Sequence, residues 1–132
     1  MAPDKGGKGA SVSDGAELKG GETMSRREFS VYVIRLSDRV LDESRFRRAN
    51  QQYVLGKNCY YVGSTAHEPE VRFRQHRAGG KTANEYAHKY GKFLTPRHYK
   101  NLNPLETREE AIKVEEQVAG RLRRRGHAVW QK

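Results

Sequence analysis

The chain has a single cysteine, Cys59, so no intrachain disulfide can form, which fits a reducing compartment. Its apolar runs are short, and none approaches the roughly 20 residues that a bilayer-spanning helix needs. The lysines near the N-terminus have no apolar stretch behind them, so that segment does not read as a secretory signal. These absences point to a cytoplasmic protein with no membrane partner. Acidic residues are scarce, 16 against 26 Lys and Arg, which leaves a formal net charge of +10. Such a balance favours an anionic partner. Nucleic acid ranks ahead of a lipid surface, because the helices read below lack the broad apolar face of a membrane-surface helix. Solubility alone is the plainer account of the charge. One cysteine and five scattered histidines show no structural-zinc spacing, and His88 and His98 read as surface or packing residues.

The 132 residues suit one domain, and the hydrophobic 35% gathers into short runs after residue 28. Residues 1–27 are dominated by Gly, Ser, Lys and Asp and are expected to be a disordered basic tail, leaving 28–132 as the folded domain. Residues 29–36 and 59–64 are rich in β-branched and aromatic side chains and read as strands. The polar, basic stretch 37–57 between them reads as an insertion with one helical turn. Pro69, flanked by Glu68 and Glu70, predicts a helix start, and Gly79-Gly80 its end. Thr82-Ala-Asn-Glu85 and Thr107-Arg-Glu-Glu110 fit capping boxes, the first opening a helix that Gly91 ends, the second a helix running to about residue 125 before Gly126. Residues 97–102 read as a third strand and 127–131 as a last one. The class is α+β, a small sheet with helices around it.

Three groups of residues carry possible chemistry. Taking Ala111 as zero on a helix that turns about 100° per residue, Val118 falls at about −20°, Leu122 at about +20° and Val114 at about −60°, and Glu115 lies among them at about +40°. A carboxylate on a core-facing stripe is costly unless it is paired or binds metal. The alternative is a glutamate at the edge of the stripe, reaching water or an arginine. Arg72 and His76, four apart, share one helix face, with Arg74 and Arg77 pointing elsewhere. Arginine offers a planar charged fork for phosphate, and histidine can move a proton near neutral pH. An ordinary basic helix would look the same. Tyr32 lies in the first strand and Tyr60-Tyr61 in the second, where alternation lets only one of the pair face the same way as the site. Gly63 after them allows a close approach of backbone or ligand.

These motifs, in this order, resemble the GIY-YIG nucleases. Val31-Tyr32-Val33 resembles the GIY element, with Ser30 or Val31 in its glycine region. Tyr61-Val62-Gly63, followed by Ser64-Thr65, resembles the YIG element. Arg72 and His76 match the family's helix with an arginine four residues before a histidine, and Ala111-Ile-Lys-Val-Glu115 its Ala-x-x-x-Glu helix. The resemblance spans residues 29–131. It implies a small central antiparallel β-sheet flanked by helices, and a metal-dependent endonuclease acting on DNA. It implies one divalent cation, magnesium or manganese, held by Glu115. Arg72 would hold a non-bridging phosphate oxygen. Tyr61, or Tyr32, would orient or deprotonate the attacking water while the other tyrosine aligns the site. His76 would contact phosphate or assist proton transfer. Two features depart from the family: the length of the 37–57 insertion, and the lack of an asparagine after Glu115. Contacts to DNA phosphates are expected from Arg45, Arg47 and Arg48, from Arg74, Arg77 and Lys81, and from the arginine run 121–125, which the helix dipole also explains. A catalytically inactive nucleic-acid-binding module and an RNA-directed nuclease remain the other readings.

Overall fold

A computed structural model describes residues 28–131, so the 1–27 tail read as disordered lies outside the described residues. Strand β1, Ser30–Leu36, has every residue buried except Ser30 and Arg35, as befits a strand covered on both faces. It pairs antiparallel with β2, Cys59–Thr65, which sets Tyr32 opposite Gly63, Ile34 opposite Tyr61 and Arg35 opposite Tyr60. On its other side β1 pairs antiparallel with β3, Gly91–Leu94, and β4, Ala128–Gln131, runs parallel to β2. The strand order is β3-β1-β2-β4.

Two expectations about the sheet are corrected here. It is mixed, not antiparallel. The long C-terminal helix runs against β2, with Glu115 beside Ser64 at one end and Arg123 bonded to the Val129 carbonyl at the other. Reversal at Gly126 therefore sends β4 along β2. Gly126 has φ +91°, which a side chain rarely adopts, and a Cβ there would also meet the Val54 side chain. The third strand is Gly91–Leu94, and Pro96–His98 is a 3-10 turn. Thr95 still donates its N–H to the Val33 carbonyl, but Pro96 has no N–H with which to continue the ladder.

Among the described residues, four α-helices flank the sheet: α1 (Ser44–Arg48), α2 (Pro69–Ala78), α3 (Glu85–Tyr90) and α4 (Arg108–Arg124). Helix α2 starts at its proline and stops at Gly79, as the sequence predicts. Thr107 caps α4 by accepting the Glu110 N–H, and the Glu110 carboxylate reaches back to the Glu106 N–H. The cap of α3 is Asn84, not Thr82: its side chain accepts from the N–H groups of Tyr86 and Ala87. On α4, Ala111, Glu115, Val118 and Leu122 are buried, while Glu109, Lys113, Glu116 and Arg124 are exposed.

Residues 37–57 are more than a polar insertion. The 3-10 turn Asp38–Asp42 and helix α1 each bury an apolar side chain completely, Val40 and Phe46. Phe46 stacks on Trp130 and meets Tyr86 edge-on. Buried Asn50 donates to the Phe46 carbonyl and accepts the Val129 N–H at 2.7 Å, satisfying the outer edge of β4. Helices α1, α2 and α3 thus cover the sheet face that carries Tyr32, Tyr61 and Gly63. Helix α4 covers the face that carries Tyr60 and Ser64. No helix among the described residues is long and apolar enough to cross a membrane.

Candidate active site

Tyr32 is almost wholly buried, and its hydroxyl lies 2.8 Å from Nε2 of His76, which is fully buried on α2. The other ring nitrogen, Nδ1, accepts the backbone N–H of Asn84 at 3.0 Å. A neutral imidazole has one donor and one acceptor, so its proton sits on Nε2 and is donated to the Tyr32 oxygen. The Tyr32 proton is then free to point at Tyr61, whose ring lies 6.1 Å away, centroid to centroid. Tyr61 also meets His76 edge-on at 5.2 Å. Burial pushes the Tyr61 hydroxyl up to about 12, against the pull of its hydrogen bond from Tyr32 and of Arg72. Tyr32 is held still higher, by burial and then by Tyr61, with Arg72 again acting downward.

Arg72 is partly buried and acts on Tyr32, Tyr61 and His76 alike. Its guanidinium donates to Gln75 Oε1 at 3.0 Å and to the Thr82 carbonyl at 2.6 Å. Loop 79–84 is therefore tied down at two points, Thr82 to Arg72 and Asn84 to His76. That tie is why the predicted cap at Thr82 gives way to Asn84.

Glu115 is 4% exposed, and its Oε1 accepts the Ser64 hydroxyl at 2.9 Å. Its charge acts on Tyr61, placing it beside the tyrosine pair although α4 lies on the opposite sheet face. Gly63 lets the Tyr32 hydroxyl lie close against β2: a Cβ there would stand 2.6 Å from it. Tyr60 faces the other way, packed edge-on between His98 and His127. The structure thus brings together Tyr32, Tyr61, Arg72 and His76, with Glu115 adjoining. Arg74, Arg77 and Lys81 are exposed on α2 and the loop behind it, Arg77 lying over the Phe73 ring. Of the three insertion arginines, all exposed, Arg45 pairs with Glu85 at 3.5 Å and lies over Trp130, and Arg47 donates to the Leu41 carbonyl.

Among the described residues, no three His, Cys, Asp or Glu side chains surround one point. A fully protein-ligated metal such as structural zinc does not fit that donor set. A buried carboxylate such as Glu115 fits magnesium, which keeps several waters and borrows ligands from substrate phosphates. Comparison with protein-family models, with curated proteins and with solved structures finds no match.

Sequence reasoning did not find Ser64, the Thr82 carbonyl or the Asn84 N–H. Only Ser64 had a signal: alternation puts it on the sheet face that receives α4.

Burial, and then Arg72, hold the His76 imidazole down at about 4. Since that lies below the ordinary value of about 6.5, the unfolded chain protonates first on acidification. The native state has its full stability above about pH 6.5 and loses it as pH falls towards 4, with His98 acting in the same direction. Thermal melts should show the midpoint dropping across that window. In an NMR titration the His76 ring should stay neutral at about pH 5; a midpoint at or above the ordinary histidine value would overturn the buried, Nδ1-accepting arrangement.

Proposed function

We propose that this chain is a metal-dependent nuclease that hydrolyses DNA phosphodiester bonds, with Arg72, Tyr61, Tyr32 and Glu115 at the reaction centre and His76 supporting Tyr32. The observation that carries this reading is the convergence of five residues from four separate segments, β1, β2, α2 and α4. They are the same five that the resemblance to the GIY-YIG nucleases nominates.

Phosphodiester hydrolysis needs a positioned water, a cation against the charge that collects on phosphate, and help for the leaving oxygen. Arg72 supplies the fixed cation and donor fork, held ready by Thr82 and Gln75. Tyr61 ends the hydrogen-bond chain from His76 through Tyr32, so its own proton faces the site and its oxygen can orient the attacking water. At about 12 its hydroxyl is a poor base unaided, and the Tyr32 hydroxyl and then Arg72 are the groups in the chain that draw it down. His76 is fully buried with both ring nitrogens engaged. It therefore acts by orienting Tyr32, and the phosphate contact expected for it falls to Arg72. A divalent cation held by Glu115 would polarise the phosphate and the leaving oxygen.

The test is cleavage of labelled linear duplex, single-stranded, flap and four-way-junction DNA with magnesium, manganese or EDTA. Cutting with metal and none with EDTA supports the reading; no cutting of any substrate by protein that binds DNA favours an inactive binding module. Within this test Tyr61→Phe should slow cleavage by about 10²-fold or more, the lower end for removing a positioned proton-handling group. Tyr60→Phe, on the opposite face, should leave it within about twofold, as for a change away from the chemistry. The reverse order would overturn the facing of the tyrosine pair.

A further inference from the structure

The rim of the sheet face turned away from Tyr32, beside the end of the helix α4 that covers that face, carries a second concentration of positive charge, which the chemistry above does not use. Its centre is set by register: Arg35 lies opposite Tyr60 and Phe93 opposite Arg35, so the three form one row across the sheet. His98 and His127 close on Tyr60 edge-on, each with ring centroids 5.2 Å away. Arg97 arrives with His98 in the Pro96–His98 turn. The end of α4 adds Arg121 and Arg125, four residues apart and so on one side of the helix. Beyond burial, three arginines act on His98, Arg97, Arg125 and Arg121, together with the His127 ring. Lys57, Arg125 and Arg35 act on His127 in the same sense. Asp38 stands at the margin, 3.9 Å from Arg35. Arg125 also lines a pocket of about 410 Å³ with Arg123, Arg124 and Gly126, closed on the other side by Gln52 and Val54.

The dipole of α4 accounts for cations at its own last turn. It does not account for Arg35, Lys57 and Arg97, which come from three other segments. Like charges gathered from separate segments oppose the compact state, and an anion seated among them relieves that repulsion. The spread of charge along a row and into a pocket suits a chain of phosphates better than a single ion.

We propose that this rim is a second nucleic-acid contact surface, on which Lys57, Arg97, Arg121 and Arg125 hold backbone phosphates on the opposite side of the sheet from Tyr32 and Arg72. Arg35 follows Tyr32 by three residues, about 10 Å along the strand, and points to the other face. This rim is therefore separate from the surface around Arg72. Contacts of this kind position the partner without reading its sequence. The inference shares the anionic partner of the reading above but does not depend on cleavage.

The test is binding of the full chain to a labelled linear duplex in EDTA, followed by fluorescence anisotropy over a series of KCl concentrations. The variant Arg97→Gln/Arg121→Gln/Arg125→Gln should bind at least about tenfold more weakly. Its slope of log affinity against log salt should be shallower by about 2–3, for three lost phosphate contacts. The corresponding triple lysine variant should keep most of the affinity. Wild-type affinity and slope in the glutamine variant would overturn the proposal and leave the rim for an acidic protein. A lysine variant as weak as the glutamine one would also overturn it, by making the arginines structural. If binding behaves as expected and no metal induces cleavage, the nuclease reading fails and this surface stands.

Discussion

Arg72→Ala and Glu115→Gln should each lower metal-dependent DNA cleavage by on the order of 10²–10³, the range for losing one preorganised charge-stabilising group. The two substitutions remove different things. Arg72 is the cation that acts on Tyr32, Tyr61 and His76 at once, and its fork is held by the Thr82 carbonyl and Gln75. Alanine there frees the Thr82 carbonyl, which sits on an exposed residue and can turn to water, so unfolding free energy should fall by about 1 kcal/mol or less. Arg72→Lys keeps the charge but not the fork, and should recover only a small part of the rate. Glu115→Gln preserves shape, and the amide oxygen can still accept from Ser64, so the fold should survive. What it loses is the charge that holds the cation. Raising magnesium should therefore not rescue Glu115→Gln, whereas it should partly rescue Ser64→Ala, in which the carboxylate remains and only the Ser64 hydroxyl is lost. Single-turnover cleavage with melting curves on each variant checks all of this. Full activity in either Arg72→Ala or Glu115→Gln would remove that residue from the reaction centre.

The sequence was most legible where a period or a special residue leaves few choices. The position of Glu115 on α4 followed from the helical period alone, since Ala111, Val118 and Leu122 fix the buried side. Strand alternation left only one of Tyr60 and Tyr61 able to face the site, and the resemblance of Tyr61-Val62-Gly63 to the YIG element chose Tyr61. Pro69 and Gly126 marked a helix start and a helix end at the right places. The failures have a common origin in long-range contacts. Nothing local in Thr82-Ala-Asn-Glu85 tells that Arg72 will claim the Thr82 carbonyl and His76 the Asn84 N–H, so the cap was placed two residues early. The polar look of 37–57 hid Val40 and Phe46, because two apolar residues among charges make no periodic signal, yet both are wholly buried. The direction of β4 depends on the path of α4 across the sheet, which no short window contains. At the site, the side chains were readable and their fixtures were not: Ser64, a backbone carbonyl and a backbone N–H are set by the fold.

Gly63→Ala should disable the site from within the sheet. The added Cβ would lie 2.6 Å from the Tyr32 hydroxyl, 2.8 Å from its Cζ and 3.1 Å from the Tyr61 ring. Real Cβ atoms do not come that close, so something must move. The glycine backbone is buried in the paired region of β1 and β2 and has no room to shift. The Tyr32 ring is the softer partner, but its hydroxyl is anchored on His76 at 2.8 Å, and withdrawing it leaves a buried imidazole N–H without its acceptor. Overpacking of this kind costs about 1–3 kcal/mol, and cleavage should fall at least about tenfold in protein that is still fully folded at the assay temperature. The two effects can be traced to one contact with Tyr32→Phe, which breaks the same hydrogen bond by deleting the oxygen. If both substitutions act through the Tyr32–His76 bond, their stability losses in urea unfolding should not add, the double variant falling short of the sum by about 0.5–3 kcal/mol. Additive losses, or a Gly63→Ala protein as active as the parent, would mean that Tyr32 can leave His76 without consequence, and the chain of hydroxyls from His76 to Tyr61 would have no part in the chemistry.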